Sequence, residues 1–278
     1  MQNKSYKAII ISISSDIGTA MAKRWVSRGW QVMGTYRTET SSIKDLSDSS
    51  IKLIQCNLLD DGSVKSACKI LREMCYQWDI LVISAGTQDP IGPFKKTDFD
   101  SWVASVNINF INQLRIVHEL LPTRNRMNLL GPCVLFFAGG GTNNATINYS
   151  AYTISKIALI KMCELLDAEI PDTRFVIVGP GWVKTKIHDS TLRAGERAGA
   201  NYQRTIDQLS SNESTPIDRI LDCCDWLVDT PRELISGRNF SVVFDRCGTE
   251  ELERRLAQEP NMYKLRRYGN DWLVKHGR

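Results

Sequence analysis

The sequence predicts an α/β protein built on a doubly wound, parallel, seven-stranded sheet of the Rossmann-like kind, with helices on both faces. Three observations predict it. Short apolar runs rich in Ile, Val and Phe alternate with longer amphipathic stretches along the chain. The runs lack strict polar alternation, as expected of strands covered on both faces. No composition break or linker divides residues 1–278, so they read as one domain.

The elements follow in order. Lys7–Ile13 is the first strand; Lys4 and Lys7 before an apolar run look superficially like a secretory leader, but Asp16 and Lys23 arrive too early and no cleavage pattern follows. Ile17–Arg28 is a helix with Ile17, Met21, Trp25 and Val26 on one side. Gln31–Tyr36 and Ile51–Cys56 are strands, and the helix Ser63–Gln77 leads to the fourth strand, Ile80–Ser84. Asp100–Leu121 reads as one long helix before the fifth strand, Cys133–Ala138. Ser150–Glu169 is helical, Arg174–Val178 the sixth strand, Ile217–Leu227 a helix and Phe240–Phe244 the seventh strand. Two segments fall outside the alternation. Residues 185–215 form a long polar stretch of a length typical of a lid over a site. Residues 250–278 mix charge with Met262, Tyr263, Leu265, Tyr268, Trp272 and Leu273, and should pack on the parent domain or a neighbouring subunit.

Composition bounds the function. Hydrophobic residues at 42% and charged residues at 24% supply a core that needs no staple. The formal charge of +4 is spread along the chain, which argues against a basic groove and a nucleic-acid partner. The apolar runs are strand-sized, so no membrane partner is expected. Eight cysteines make no CxxC or Cys/His ligand spacing, which predicts buried thiols in a reducing cytoplasm and no metal site.

Chemistry concentrates at strand ends. The first strand runs through Ser12-Ile13-Ser14-Ser15-Asp16-Ile17-Gly18 directly into a helix, the place where a dinucleotide-binding fold puts a glycine-rich turn with its backbone N–H groups facing the pyrophosphate, although only Gly18 remains of the expected glycines. Tyr152 and Lys156 lie one helical turn apart on one face. Pro180-Gly181-Trp182-Val183-Lys184-Thr185 follows the sixth strand.

With Ser15-Asp16-Ile17-Gly18, Ile83-Ser84-Ala85-Gly86, the Asn109 region, Tyr152/Lys156 and Pro180-Gly181/Thr185 in that order, the chain resembles the short-chain dehydrogenase/reductase family over about residues 7 to 245. The resemblance implies that Tyr152 is the proton donor or acceptor and Lys156 its activating partner, which also bonds the nicotinamide ribose. A nearby ammonium favours phenolate and draws a tyrosine towards the working pH. Asn109, seven residues after Trp102, matches the anchor of a proton-relay water, with Asn107 as a rival. Ser12, Ser14, Ser15, Asp16, Ile17 and Gly18 would line the pyrophosphate, and Ser84, Ala85 and Gly86 the dinucleotide. Thr185 would bond the carboxamide beside Pro180, Gly181 and Val183. Tyr36 stands where an acidic residue would select NAD(H), and Arg37 follows; a guanidinium grips a phosphate, so NADP(H) is expected over NAD(H). Asn57 stands where an Asp would bond the adenine.

The chain also departs from that pattern. Ser12 and Asp16 replace glycines, and the charge of Asp16 opposes a pyrophosphate at the same helix end. The usual catalytic serine, thirteen residues before the tyrosine, is Gly139, and Thr142 is the nearest hydroxyl on that loop. Restoring the hydroxyl by Gly139→Ser is expected to raise the rate. The resulting reading is an NADP(H)-dependent oxidoreductase transferring a hydride to or from the carbonyl or hydroxyl of a small substrate, sugar-like or otherwise polar. The alternative is a catalytically degenerate NADP(H)-binding sensor or scaffold; a sugar-nucleotide epimerase fits less well. Apolar surplus on Asp100–Leu121 and Ser150–Glu169 predicts a homodimer or homotetramer. His188 stands alone and reads as a surface or rim residue.

Overall fold

A computed structural model describes residues 5–211 and 213–269. The apolar runs form strands β1 (Lys7–Ile11), β2 (Gln31–Tyr36), β3 (Lys52–Gln55), β4 (Ile80–Ile83), β5 (Cys133–Phe137), β6 (Arg174–Gly179) and β7 (Arg238–Ser241). They pair in parallel throughout, in the order β3-β2-β1-β4-β5-β6-β7. The helices are α1 (Asp16–Ser27), α2 (Ser41–Ser47), α3 (Asp61–Met74), α4 (Phe99–Val106), α5 (Asn112–Leu120) and α6 (Ser150–Glu169). After β6 come α7 (Asp189–Ala194), α8 (Ala200–Ser210), α9 (Ile217–Asp229) and α10 (Arg232–Ile235), and after β7 comes α11 (Glu250–Gln258).

Successive strand residues point to opposite faces, and here both faces are core. Ile10, Val82, Leu135 and Val176 pack with Met21 and Trp25 of α1 and Ile220, Cys224 and Leu227 of α9. Ile9, Leu81, Val134 and Phe175 pack with Val64 and Leu71 of α3, Ile116 and Leu120 of α5 and Leu159 and Cys163 of α6. This double cover explains runs without polar alternation. Side-chain caps start the helices that flank β1 and β3: Ser15 Oγ accepts from Gly18 N at 3.0 Å, and Asp60 Oδ1 from Gly62 N at 2.8 Å.

Several expectations change. The long helix over 100–121 is interrupted by a π turn, Asn107–Ile111, between α4 and α5. Three amide side chains there bond the neighbouring loops. Asn109 holds Thr87, Asn112 Nδ2 donates to Leu58 O, and Gln113 Nε2 donates to Ala85 O and Ile108 O. One extra residue in the turn aims all three inward. The seventh strand is Arg238–Ser241 and not Phe240–Phe244: it starts two residues early, because the guanidinium of buried Arg238 donates to Leu256 O, Glu259 O and Met262 O, and Val242, Val243 and Phe244 lie in a turn beyond its end. Residues 185–211 are largely helical, and a small cluster of Ile91, Tyr149, Ala194 and Ala198 with Tyr202 holds them against the loop after β4. The C-terminal segment packs on its own chain: Met262 and Tyr263 join the core, Asn239 N donates to Tyr263 O, and Arg266 pairs with Glu164. Trp272 and Leu273 lie outside the described residues. Among the described residues, no helix is long and apolar enough to cross a membrane.

Candidate functional site

The strand order reverses between β1 and β4, and a crevice opens at the carboxyl ends of the strands at such a switch point. In the loop after β1, Ser12 adopts the left-handed φ of 59°, a conformation glycine takes freely and serine holds at a cost of about 1 kcal/mol. Its neighbours over-determine it. Ser12 N donates to Thr35 Oγ1 at 3.1 Å, and Ser12 O accepts from Ser15 N at 2.9 Å and from Ser84 Oγ at 3.0 Å. Ser15 Oγ also donates to Ser84 Oγ at 3.2 Å, which joins this loop to the end of β4. Gly18 is closely packed: a Cβ there would stand 2.7 Å from Ser15 Oγ, 2.9 Å from Ser84 Oγ and 3.0 Å from Ser12 O. Ser14 and Ile17 are half-buried on the same turn.

Asp16 is committed elsewhere than its sequence position suggested. Its Oδ2 accepts from Lys186 N at 2.8 Å, and Oδ1 lies 3.5 Å from Lys186 Nζ. The carboxylate therefore anchors the segment after β6, and a partner cation offsets its charge.

At the end of β2 the Arg37 side chain is exposed and makes no ion pair among the described residues. Gln55 Nε2 fixes the backbone beneath it by donating to Arg37 O at 3.1 Å. Asn57 closes its own loop, with Oδ1 accepting from Leu59 N at 3.1 Å. Beyond β4, Ala85 is buried and Gly86 is exposed. A position one bond out from Gly86 lies 3.7 Å from Asn109 Oδ1, 3.8 Å from Lys156 Nζ and 3.8 Å from Ile187 Cδ1. The exposed Gly86 between Asn109 and Lys156, the close approach at Gly18 and an exposed Arg37 without an ion pair among the described residues fit a dinucleotide laid across the strand ends.

Lys156 is 2% exposed and Tyr152 half-buried. Lys156 Nζ donates to Phe137 O at 2.9 Å and to Ala85 O at 3.4 Å, and sits 5.9 Å from the Tyr152 ring centroid. Burial pushes the ammonium pKa down to about 8 and the phenol up to about 12. The expected pull of Lys156 on the phenol is outweighed, because desolvation disfavours the charged form of both groups. The Tyr152 phenol is thus protonated at neutral pH.

Asn109 is fully buried; its Oδ1 accepts from Thr87 N and its Nδ2 donates to Thr87 O, each at 2.9 Å, and to Ser105 Oγ at 3.1 Å. Asn107 lies at the start of the same π turn. Gly139 meets the phenol directly: a Cβ there would stand 2.6 Å from Tyr152 Oη. Thr142 is exposed on the loop, and no hydrogen bond joins it to Tyr152 among the described residues.

After β6, Gly181 takes φ 78°, and a side chain there would strike Val243 and Thr215. Pro180 is half-buried, Val183 is buried, and Thr185 Oγ1 donates to Val183 O at 3.4 Å. His188 is not at the rim. It is buried, stacks on Trp182 at 4.3 Å and bonds Val183 O through Nε2 at 2.9 Å. Burial holds its pKa below the ordinary imidazole range, so the neutral ring's Nε2–H donates.

Sequence reasoning missed the polar seam between this segment and the loop after β4. Tyr149 Oη bonds Thr191 Oγ1 at 2.8 Å, Thr191 donates to Gln88 Oε1 at 3.1 Å, and Ser190 to Asp89 Oδ2 at 2.7 Å. The partners Ser190 and Asp89 stand 101 residues apart, so no local spacing signals them.

The family model described as enoyl-(acyl carrier protein) reductase matches residues 12–242. Serine 3-dehydrogenase of Rhizobium radiobacter is 30% identical over 231 residues, covering 81% of this chain and 89% of that protein. Short-chain dehydrogenase/reductase family 9C member 7 of Homo sapiens is 28% identical over 193 residues, and the match spans 66% of this chain and 60% of the human protein. Among solved structures, a short-chain dehydrogenase/reductase from Saccharomyces cerevisiae superposes with a TM-score of 0.76 at 19% identity, covering 89% of this chain and 98% of that one. A variant actinorhodin polyketide ketoreductase solved with NADPH gives 0.74 at 17% identity, covering 87% and 97%. At those identities the structural likeness is one of fold.

Proposed function

We propose that this chain, which belongs to the short-chain dehydrogenase/reductase family, is an NADP(H)-dependent oxidoreductase acting on the carbonyl or hydroxyl of a small polar substrate. The observation that carries the reading is that Lys156 Nζ and Asn109 Oδ1 border the exposed Gly86, with the Tyr152 ring 5.9 Å from Lys156 Nζ, at the switch point of the sheet. When bound there, the nicotinamide supplies or accepts the hydride.

The chain's own residues do the rest. Burial keeps the Tyr152 phenol protonated, and it gives its proton to the substrate oxygen in the reductive direction. Lys156 is fixed by two carbonyls, which leaves one of its three N–H donors for a ribose hydroxyl. Asn109 holds Thr87 and so fixes the floor next to Gly86. Arg37 takes a 2′-phosphate, and Thr185 orients the carboxamide. With Gly139 lacking a hydroxyl, the second hydrogen bond to the substrate oxygen comes from Thr142, from water or from a hydroxyl of the substrate. Thr142→Val separates these: a loss of about 10²–10³ in rate assigns Thr142, and unaltered turnover assigns the others.

The direct test titrates the protein with NADPH and NADH and then follows NADPH oxidation over a panel of polar ketones and sugars. NADPH is expected to bind at least about tenfold more tightly, with Arg37→Asp removing the preference. Tyr152→Phe should abolish most turnover and leave NADPH affinity nearly unchanged. Tight NADPH binding without turnover of any substrate would reassign the chain as a cofactor-binding sensor or scaffold.

A further inference from the structure

Eight cysteines are distributed through the chain, and seven are buried. Two of them meet. Cys223 of α9 and Cys247, in the turn between β7 and α11, place their sulfurs 3.1 Å apart. That is closer than the roughly 3.5–4.0 Å of ordinary heavy-atom contact and about 1 Å longer than a disulfide bond. Cys247 is the one partly exposed cysteine of the eight, so of the two it lies nearer solvent, while Cys223 is buried in the core. The adjacent Cys224 is fully buried and has no such sulfur contact among the described residues.

We propose that Cys223 and Cys247 form a dithiol that a peroxide converts to a disulfide, giving the protein a two-electron redox site separate from the dinucleotide crevice. The Cys247 sulfur attacks the peroxide, breaks its O–O bond and becomes a sulfenic acid while one oxygen leaves as water. The Cys223 sulfur then displaces the sulfenic hydroxyl as a second water. Two thiols are oxidised, one peroxide is reduced, and the thiol protons leave in the two waters. Cellular thiols reverse the step, as expected of a bond that forms in a reducing compartment.

The bond would fasten α9 to the segment after β7. That segment already borders the crevice wall: Arg219 of α9 donates to Val242 O at 3.0 Å, and Val243 stands where any side chain at Gly181 would strike it. Oxidation therefore stiffens the support behind Pro180 and Gly181. Closing a span of 24 residues should raise Tm by roughly 5–10 °C. The inference stands on the sulfur geometry alone and does not depend on the dehydrogenase reading.

The test treats the intact protein with hydrogen peroxide, counts thiols after denaturation, and maps tryptic peptides under non-reducing conditions. The expected result is loss of two of the eight thiols, no added oxygen, and a cross-link between peptides 220–232 and 247–254. Fragmentation of the linked pair should place the bond on Cys223, and thiol reductant should reverse it together with the Tm rise. Cys247→Ser should leave Cys223 reduced. Eight surviving thiols under excess peroxide, oxygen accumulating on Cys247 without a cross-link, or a bond through Cys224 would each overturn the proposal. These readouts are made on the wild-type protein, so they hold even if the serine variant fails to fold.

Discussion

Gly139→Ser restores the hydroxyl that the family pattern places thirteen residues before the tyrosine, and the structure reverses the naive expectation for it. A Cβ at Gly139 would stand 2.6 Å from Tyr152 Oη, 2.7 Å from Cε1 and 2.8 Å from Cζ. Ordinary contact begins near 3.4 Å, so the phenol has to retreat by about 0.8 Å. Misplacing a reacting group by about 1 Å costs on the order of 10² in rate. A restored oxyanion donor is worth about 10²–10³, but only when the proton donor stays in line. Because the serine displaces that donor, the steric loss wins, and kcat should fall about 10²-fold. Overpacking should also cost roughly 1–3 kcal/mol of stability. The assay pairs NADPH consumption with urea unfolding for wild type, Gly139→Ala and Gly139→Ser. Equal losses for alanine and serine identify the clash as the cause. A Gly139→Ser enzyme that turns over faster at unchanged stability would refute the reasoning.

Three further predictions follow from particular contacts. Lys156 titrates near 8 when folded, against 10.5 when exposed, so between those values the unfolded chain binds more protons and this residue's contribution to stability rises with pH. The buried thiols act oppositely above about pH 9, so the measurement is the wild-type stability minus that of Lys156→Met. That difference should grow by on the order of 3 kcal/mol across the window, and a flat difference in urea midpoints would contradict it. Asp16→Ala frees the amide of Lys186, and hydrogen exchange at residues 186–188 should speed up while α3 amides stay unchanged; unaltered exchange would show that the anchor is idle. Phe99 and Ile154 are 60% and 52% exposed, with Val103 and Leu165 also exposed on α4 and α6. Light scattering should therefore give at least twice the 31.4 kDa chain mass, whereas a monomer at micromolar concentration would rule out that face as a subunit contact.

What the sequence disclosed follows from how local each signal is. The strands were legible because double burial leaves unbroken apolar runs, and α1 because its cap and apolar spacing are contiguous. The Tyr152–Lys156 pair was legible for the same reason: four residues on a helix fix their relation. The π turn was not, because it arises from Asn109, Asn112 and Gln113 bonding loops far away in the chain. Asp16 looked like a hindrance to phosphate because its partner Lys186 lies 170 residues on. Counting back from Tyr152 located Gly139, but no count reveals that the phenol occupies the vacated space. The sign of the tyrosine shift depended on burial, which a motif does not carry.

The Asn109 amide meets both backbone groups of Thr87 as a neighbouring strand would, one donor and one acceptor on each side. A helix thus supplies a ladder-like rung to the loop that follows β4. The rung belongs to the same continuous helical stretch as α4, which carries the exposed Phe99 and Val103 and is tied to α6 where Trp102 Nε1 donates to Ser150 Oγ at 3.0 Å. A second subunit seated on that face would push on a lever whose far end is a peptide one residue from Gly86. Any axial shift of α4 on assembly would be transmitted to the floor beside Lys156 without passing through solvent-exposed loops. Association and chemistry would then share one mechanical part.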